Sequence, residues 1–509
     1  MASSRTKEFN KFQEIFFPIH KYELKKFLPM SMLMFCMLFV YNLVRNLKDW
    51  FIQYSSHLWV SARPEESANL ISALKFWYVL PCAFLMVLLF TVLVNKFGHD
   101  KTFYIMLSGF MAFYFLYGYF IYPNLDRLIM SPEDITNLIN VFPPFFRSFM
   151  VCMCNWPLTL FYIVSELWGT MAISSLFWQF ANRVTMAHEV KRFFALLSLL
   201  SNFGTIIAGS TILKYANNLD IEHVRLLMTV VIAIFVAALS LYTYINRVVL
   251  KDPLFYDASK VVEKKKKGKV SALEGVKVLL KNRYLLLIAS LVMCYGVAIN
   301  FFEVLMKANM KETFSGQQYA QIQGILTVFT GIFATIVTLI SSYILRKFSW
   351  KVAALVTPVL LIVLGGAFLV VLLYKQFVSA SIFGCSAALI AAWFGILNNA
   401  FVKSVKYSLF DTTKSMAYLP LSEDERTKGQ AAVEIIGARA GKAGSSLVQQ
   451  IMVSFPRTLV TVTGSVAGIL AYTPSIIAIF FSTIVIWILS VLSLSKKYES
   501  KMAQGKELT

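Results

Sequence analysis

The chain has 509 residues, of which 58% are hydrophobic, 15% aromatic and only 15% charged, with a mean hydropathy of +0.65. Soluble domains carry about 25% charged residues and interrupt their apolar runs sooner, so that class is excluded. The net charge of +21 does not point to a nucleic-acid partner either. The basic residues sit in short stretches between apolar runs and in the tails, where they orient a membrane protein.

The first 27 residues are basic and contain no apolar stretch followed by a small-residue cleavage site, and their acidic residues argue against a transit peptide. They are read as a cytosolic segment. Twelve apolar spans follow, near 28–48, 70–94, 102–122, 156–181, 192–213, 224–246, 283–306, 319–345, 352–374, 380–401, 429–454 and 470–494. Several reach the roughly 20 residues that a helix needs to cross hydrocarbon. The fold class is therefore an all-α polytopic membrane protein of two six-helix bundles, 28–246 and 283–494. A basic middle loop (247–282, with a lysine run at 264–267) joins them, and 495–509 form a tail. Such a division suits a transporter with its site between the halves.

Basic residues alternate with the loops. Even-numbered loops carry Lys96 and Lys101; Arg183, Lys191 and Arg192; the middle lysine run; Arg346, Lys347 and Lys351; and Lys403, Lys406 and Lys414. Odd-numbered loops hold mainly Glu65, Glu66, Asp126, Glu133, Asp134, Asp220 and Glu222, with a lone Lys375. The positive-inside rule then places both termini in the cytosol. Asn95-Lys96-Phe97-Gly98 after span two and Arg346-Lys347-Phe348-Ser349 after span eight are similar turns at equivalent places in the halves. The six cysteines lack zinc-ligand spacing and read as small core residues. No metal or cofactor site is expected.

Charges inside the spans carry the functional reading, because a charge in hydrocarbon is costly and usually faces a wet cavity. Arg45, Lys48 and Asp49 close span one, where Arg45 and Asp49 can pair at i,i+4 or add charge to a cavity mouth. Lys75, early in span two, either snorkels to the interface or faces the interior. Glu166 lies about ten residues into span four, so it must pair, protonate or line water. Glu303 has Lys307 four residues on, a favourable helical pair. The stretch 399–444 brings Lys403, Lys406, Asp411, Lys414, Arg439 and Lys442 into or beside apolar sequence. Arg439 and Lys442, three apart, share a helix face. Gly437-Ala-Arg-Ala-Gly-Lys442-Ala is not a phosphate loop: its glycine spacing is short, and no Ser or Thr follows the lysine. The glycines instead let helices approach closely. An excess of cations over carboxylates suits a multiply charged phosphate-bearing anion. Trp77, Tyr78, Trp168, Trp178 and Tyr295 are candidates to stack a planar base.

Four motifs carry a resemblance: ALKFWYVLP (73–81), SELWGT followed by LFWQFAN (165–182), YGVAINFFEV (295–304), and KYSLFDTTKSMAYLPL with TKGQAAVEIIGARAGKAG (406–444). Together they resemble the ATP/ADP translocase family of plastids and intracellular bacteria, from PIHKYELKKFLPM (18–30) to the last span. The resemblance implies a twelve-helix, major-facilitator-like fold and nucleotide transport without hydrolysis. It implies that Lys75, Glu166, Glu303 and Lys442 occupy the family's charged transport positions, and it favours a functional Glu303 over the helix pair. Within that family, the absence of a transit-like extension favours a bacterial inner membrane over a plastid envelope. The sequence departs from the family pattern at Gly441-Lys-Ala-Gly-Ser445, at Arg45-Asn-Leu-Lys-Asp49, at Phe180-Ala-Asn-Arg183 and in a longer loop at 53–68.

Two transport readings follow. The first is exchange of ATP and ADP, with Lys75, Arg439 and Lys442 on the phosphates and Glu166 and Glu303 pairing with these cations in the empty site. Arg45, Lys48, Asp49, Lys406 and Asp411 are further candidates. The alternative is proton-coupled import of other ribonucleotides, which would use Glu166 or Glu303 as the protonated group. Phosphate or protons are possible co-substrates, and the lipid bilayer is the other partner. A membrane enzyme ranks below both, because no nucleophile motif or metal cluster is present.

Overall fold

Helix α1 (Leu24–Tyr54) opens the computed structural model, which describes residues 19–54, 67–185, 187–215, 220–255, 279–377, 386–418, 420–421, 433, 437–454 and 468–507. Every regular element among these residues is helical. A sixty-residue helical run from Asn69 to Leu128 follows. It is broken at Gly98, whose φ of 77° is open to glycine but strained for other residues. The break makes the run two spans, α2 (69–97) and α3 (99–128). The first half continues with α4 (Trp156–Val184), α5 (Ala187–Tyr215) and α6 (Ile221–Val249). The second half has α7 (Arg283–Thr313), α8 (Gly316–Lys347), α9 (Trp350–Lys375), α10 (Ala387–Ala417), α11 (Ala438–Ser454) and α12 (Thr473–Glu507). These are the twelve expected spans, and several run well past the sequence-derived limits because helix continues beyond the hydrocarbon-length apolar core. The middle lysine run, Glu65 and Glu66, and the first 18 residues lie outside the described residues.

Helix starts are fixed by capping side chains. Asp220 accepts from the His223 amide, Asn282 from those of Tyr284 and Leu285, and Ser386 from that of Leu389. Ser315 and Gln318 form a reciprocal capping box. Outward-facing Leu85, Leu88, Val92, Val363, Val370 and Leu489 are exposed, as a lipid-facing surface requires, since lipid tails accept apolar side chains.

The buried apolar residues form two large clusters, one spanning Ile19 to Phe255 and the other Leu279 to Tyr498. Neighbour relations repeat with a shift of six helices: α1 packs on α5 and α6, and α7 on α11 and α12. The halves meet along α5 with α8 and along α2 with α11, themselves an equivalent pair under the same shift. A Cβ on Gly324 of α8 would lie 3.0 Å from the Gly209 carbonyl oxygen of α5, so the helices cross there backbone to backbone.

The two ends of the bundle differ. At the end where α1 begins and α12 finishes, the polar clasps tie helices within a half. Lys26 donates to Glu189 and the Phe255 carbonyl at 2.6 and 2.9 Å, Arg183 and Tyr242 both reach Asp100, and Tyr284 donates to the Ala417 carbonyl at 2.7 Å. At the opposite end they tie one half to the other. Trp50 donates to the Gly316 carbonyl at 3.2 Å, Gln53 to the Tyr319 hydroxyl at 2.6 Å and Tyr54 to the Phe314 carbonyl at 3.0 Å. Lys311 reaches the Gln53 carbonyl at 2.7 Å, Ser72 meets Gln449, and Gln450 donates to the Asn69 carbonyl at 2.8 Å.

Candidate functional site

A charged network fills the space between the halves, drawn chiefly from α1, α4, α7 and α10, helices that are equivalent in pairs. The YNLVRNLKDW segment of α1 supplies its centre. Lys48, 3% exposed, places its ammonium 3.1 Å from Asp49 Oδ1, 3.1 Å from Glu166 Oε2 of α4 and 3.9 Å above the Tyr162 ring. The other oxygen of Asp49 accepts from Lys307 of α7 at 2.7 Å. Glu303, also on α7, holds two cations on a single oxygen: Arg45 of α1 at 3.3 Å and Lys403 of α10 at 3.1 Å.

The local pairs expected from spacing do not form. Arg45 does not pair with Asp49, nor Glu303 with Lys307; each carboxylate instead finds its cation on the facing helix. The reason lies in the register. Arg45 meets Glu303 and Asp49 meets Lys307, both at a separation of 258 residues, so equivalent positions of α1 and α7 stand at one depth with opposite charges. An i,i+4 pair is worth only about 0.2–0.5 kcal/mol on an exposed helix, whereas leaving one of these charges buried and unpaired costs roughly 3–5 kcal/mol.

Lys75 does not snorkel. It lies in a π turn, Leu74–Val79, an irregularity common at functional sites. Its ammonium donates to Asn300 Oδ1 of α7 at 2.6 Å. The Asn300 amide in turn donates to Ser445 and Ser446 of α11 at 2.9 and 3.0 Å. Lys442 heads this same turn of α11 and is exposed. Neither Lys75 nor Lys442 has an ion-pair partner among the described residues. The glycines around Lys442 do bring helices together, since a Cβ on Gly441 would fall 2.7 Å from the Met293 carbonyl of α7.

Other expected members fall elsewhere. Lys406 and Lys414 grip Asp411 at 3.0 and 3.3 Å, a local cluster on α10 distinct from the Glu166 and Glu303 pairs. The side chain of Arg439 lies outside the described residues, as do those of Lys191, Arg192 and Arg346. The candidate base-stacking aromatics are engaged with protein rings. Trp77 packs against Phe145, Phe146 and Phe149, Tyr78 stacks on Phe149, Trp168 contacts Phe110 and Phe235, and Tyr295 lies between Phe410 and Trp487. Trp178 abuts Phe177. Packing explains these rings, in place of an open stacking platform.

Two participants, Lys307 and Asn300, escaped the sequence reading, and Lys403 was singled out there only beside its span, because the tenth span was ended at 401, whereas α10 stays helical through it. Its spacing of four from Asn399 is the signal that places both on one face. Lys307 read only as the local partner of Glu303. Asn300, uncharged and amid apolar sequence, carried no signal at all.

The network borders a small cleft lined by Arg45, Asp49, Lys307 and Lys403 on one side and by Asn42, Asn46, Gln323, Thr327 and Asn399 elsewhere. Arg45, Lys48, Lys75, Lys307, Lys403 and Lys442 outnumber Asp49, Glu166 and Glu303 by three. Such an excess suits a polyanion, which can replace the carboxylates as the counter-charge. Its groups hold no metal-ligand cluster among the described residues.

Comparison with known proteins gives the family and the fold. The family model described as TLC ATP/ADP transporter matches residues 2–498. ADP,ATP carrier protein 1 of Rickettsia prowazekii is 35% identical over 510 residues, covering 98% of each chain. ADP,ATP carrier protein 1 of Chlamydia muridarum is 35% identical over 521 residues, covering all of this chain and 95% of that protein. Among solved structures, a D-xylose-proton symporter superposes with a TM-score of 0.53 at 13% identity, covering 93% of this chain and 97% of that one. That likeness speaks for the major-facilitator fold. With a match over nearly its full length and a charged cleft between two equivalent six-helix halves, the chain belongs to the TLC ATP/ADP transporter family.

Proposed function

We propose that this protein exchanges ATP for ADP across a bacterial inner membrane by alternating access, without hydrolysis. The observation that carries the reading is the surplus of cations between the halves, with Lys75 on one half and Lys442 on the other lacking a carboxylate partner among the described residues. The relatives named ADP,ATP carrier protein support adenine nucleotides as the cargo. Glu303 bridges Arg45 and Lys403, and Glu166 holds Lys48. Nucleotide phosphates, bearing more charge, take over these cations together with Lys75 and Lys442. Pairs that cross between the halves are then loosened, and the halves 28–246 and 283–494 rock as two bodies. Without a nucleotide the carboxylates reclaim the cations, so the empty carrier crosses poorly and transport is obligatory exchange.

The basic-loop pattern supports both termini in the cytosol, with the clasped end at the periplasm. Proteoliposomes test the function. Uptake of labelled ATP requires internal ADP and is insensitive to an uncoupler. Equal uptake by empty vesicles, or its collapse with the uncoupler, would instead establish proton-coupled import.

A further inference from the structure

The neutral wall of the cleft contains one group that the protein leaves unused. Asn42 donates to the Leu38 carbonyl at 2.9 Å and the Thr205 hydroxyl at 3.0 Å, Asn46 to the Thr327 hydroxyl at 2.9 Å, and Gln323 to the Tyr319 hydroxyl at 3.0 Å. Asn399 differs. It is 0% exposed and lines the cleft, yet its Oδ1 has no hydrogen-bond partner among the described residues. Its Nδ2 faces only the Met306 thioether, at 3.6 Å, and sulfur is a weak acceptor. Buried amide groups are rarely left in this state, and each instance needs an explanation. Here the amide belongs to a residue that lines the cleft, with an acceptor that no described group satisfies and a donor held only by sulfur. Lys403 follows one turn later on the same helix face, and its ammonium lies 3.1 Å from Glu303 on the charged side of the cleft.

We propose that Asn399 reads the base of the transported nucleotide. Its Oδ1 accepts from the exocyclic amino group of adenine, and its Nδ2 leaves the thioether to donate to N7, the neighbouring acceptor on that edge. Arg45 and Lys403 meet the phosphate end across the same cleft. This assignment rests on the exchange reading and deepens it. The chemistry is that of an amide on an amino-bearing base edge, where acceptor meets donor and donor meets acceptor. A keto group at the same position, as in guanine or hypoxanthine, sets acceptor against acceptor and leaves Oδ1 unsatisfied. A site built around such a hydrogen bond rejects the analogue that lacks the donor, because the buried group then has no partner.

The test compares equilibrium binding of ATP, inosine triphosphate, purine riboside triphosphate (which lacks the amino group) and inorganic tripolyphosphate (which lacks base and sugar) to the purified full chain. The unaltered protein is expected to bind ATP roughly ten- to hundred-fold tighter than the inosine and purine riboside analogues. In Asn399→Leu the ATP affinity falls to that of purine riboside triphosphate, while tripolyphosphate binds as before and shows the phosphate end intact. Asn399→Ser, which keeps a small polar group, repeats the comparison with less disturbance to packing. Equal affinity of the unaltered protein for ATP and purine riboside triphosphate overturns the assignment without needing any variant, as does an unchanged gap in Asn399→Leu. Failure of both ATP and tripolyphosphate to bind the unaltered protein overturns the exchange reading itself, and this assignment with it.

Discussion

At the scale of single residues, Glu303 is the group whose chemistry is most exposed to test. One of its oxygens holds cations from both halves, so it competes with phosphate for Arg45 and Lys403. Glu303→Gln keeps the shape and removes the competition. ATP binding is expected to stay as tight as before or become tighter, while exchange slows at least about ten-fold because the empty carrier no longer re-forms its pairs. Parallel measurement of binding and of counter-exchange separates the two; a matched loss of both would show that Glu303 only supports the fold. Lys442 predicts the opposite pattern. It has no carboxylate to satisfy among the described residues, so Lys442→Gln leaves no buried anion stranded. Nucleotide affinity is expected to drop about ten-fold or more, equivalent to ~1.4 kcal/mol, with thermal stability unchanged. A melting curve recorded beside the binding isotherm checks both statements.

At the scale of helices, the crossed pairing of α1 with α7 makes a sharper prediction than either pair alone. Asp49 and Lys307 are both under 10% exposed and 2.7 Å apart. Removing one partner strands the other, at a cost of about 3–5 kcal/mol. Asp49→Lys and Lys307→Asp are therefore each expected to lower the unfolding temperature in detergent and the yield of folded protein. The double exchange restores an opposite pair and should recover most of the loss, with a coupling of roughly 0.5–3 kcal/mol. Lys48 also contacts Asp49, so recovery stops short of completeness: after the exchange Lys48 faces a second ammonium in place of the Asp49 carboxylate. Additive losses would show that register across the helices is not what matters. Between α5 and α8 the backbones touch at Gly209 and Gly324. Gly324→Leu forces these helices apart and is expected to abolish exchange even where the protein reaches the membrane.

At the scale of the whole molecule, the clasped end should behave as a gate. Its hydrogen bonds between halves are net contributions of about 1 kcal/mol each, weak enough to break and re-form in every cycle. Covalent closure removes that freedom. In a Gln53→Cys/Tyr319→Cys protein, oxidation is expected to stop exchange, and reduction to restore it. A cysteine placed at Lys442 should remain open to a membrane-impermeant thiol reagent from the side carrying the termini while the cross-link is in place. Loss of that labelling would mean that the cleft opens the other way.

The composition, the lengths of the apolar runs and the alternation of basic loops were enough to determine an all-helical membrane protein with twelve spans. These are local properties: a helix buries its own backbone hydrogen bonds, and hydrocarbon demands that it do so over about 20 residues. Intramembrane charge likewise singled out Arg45, Lys48, Asp49, Lys75, Glu166, Glu303, Arg439 and Lys442 as groups that must pair or face water, and the family resemblance picked Lys75, Glu166, Glu303 and Lys442 from among them. Partnership was not legible. Arg45 with Glu303 and Asp49 with Lys307 depend on the depth at which α1 faces α7, a register set by side chains on every helix around them. Lys403 was placed beside its span and not within it by an end set two residues early, and Asn300 and Asn399 were hidden by having no charge to betray them. The aromatics misled for the same reason: whether a ring packs or waits for a base depends on its neighbours. Spacing along the chain determined which groups must leave the lipid, and only the packing of one half against the other decided where each of them went.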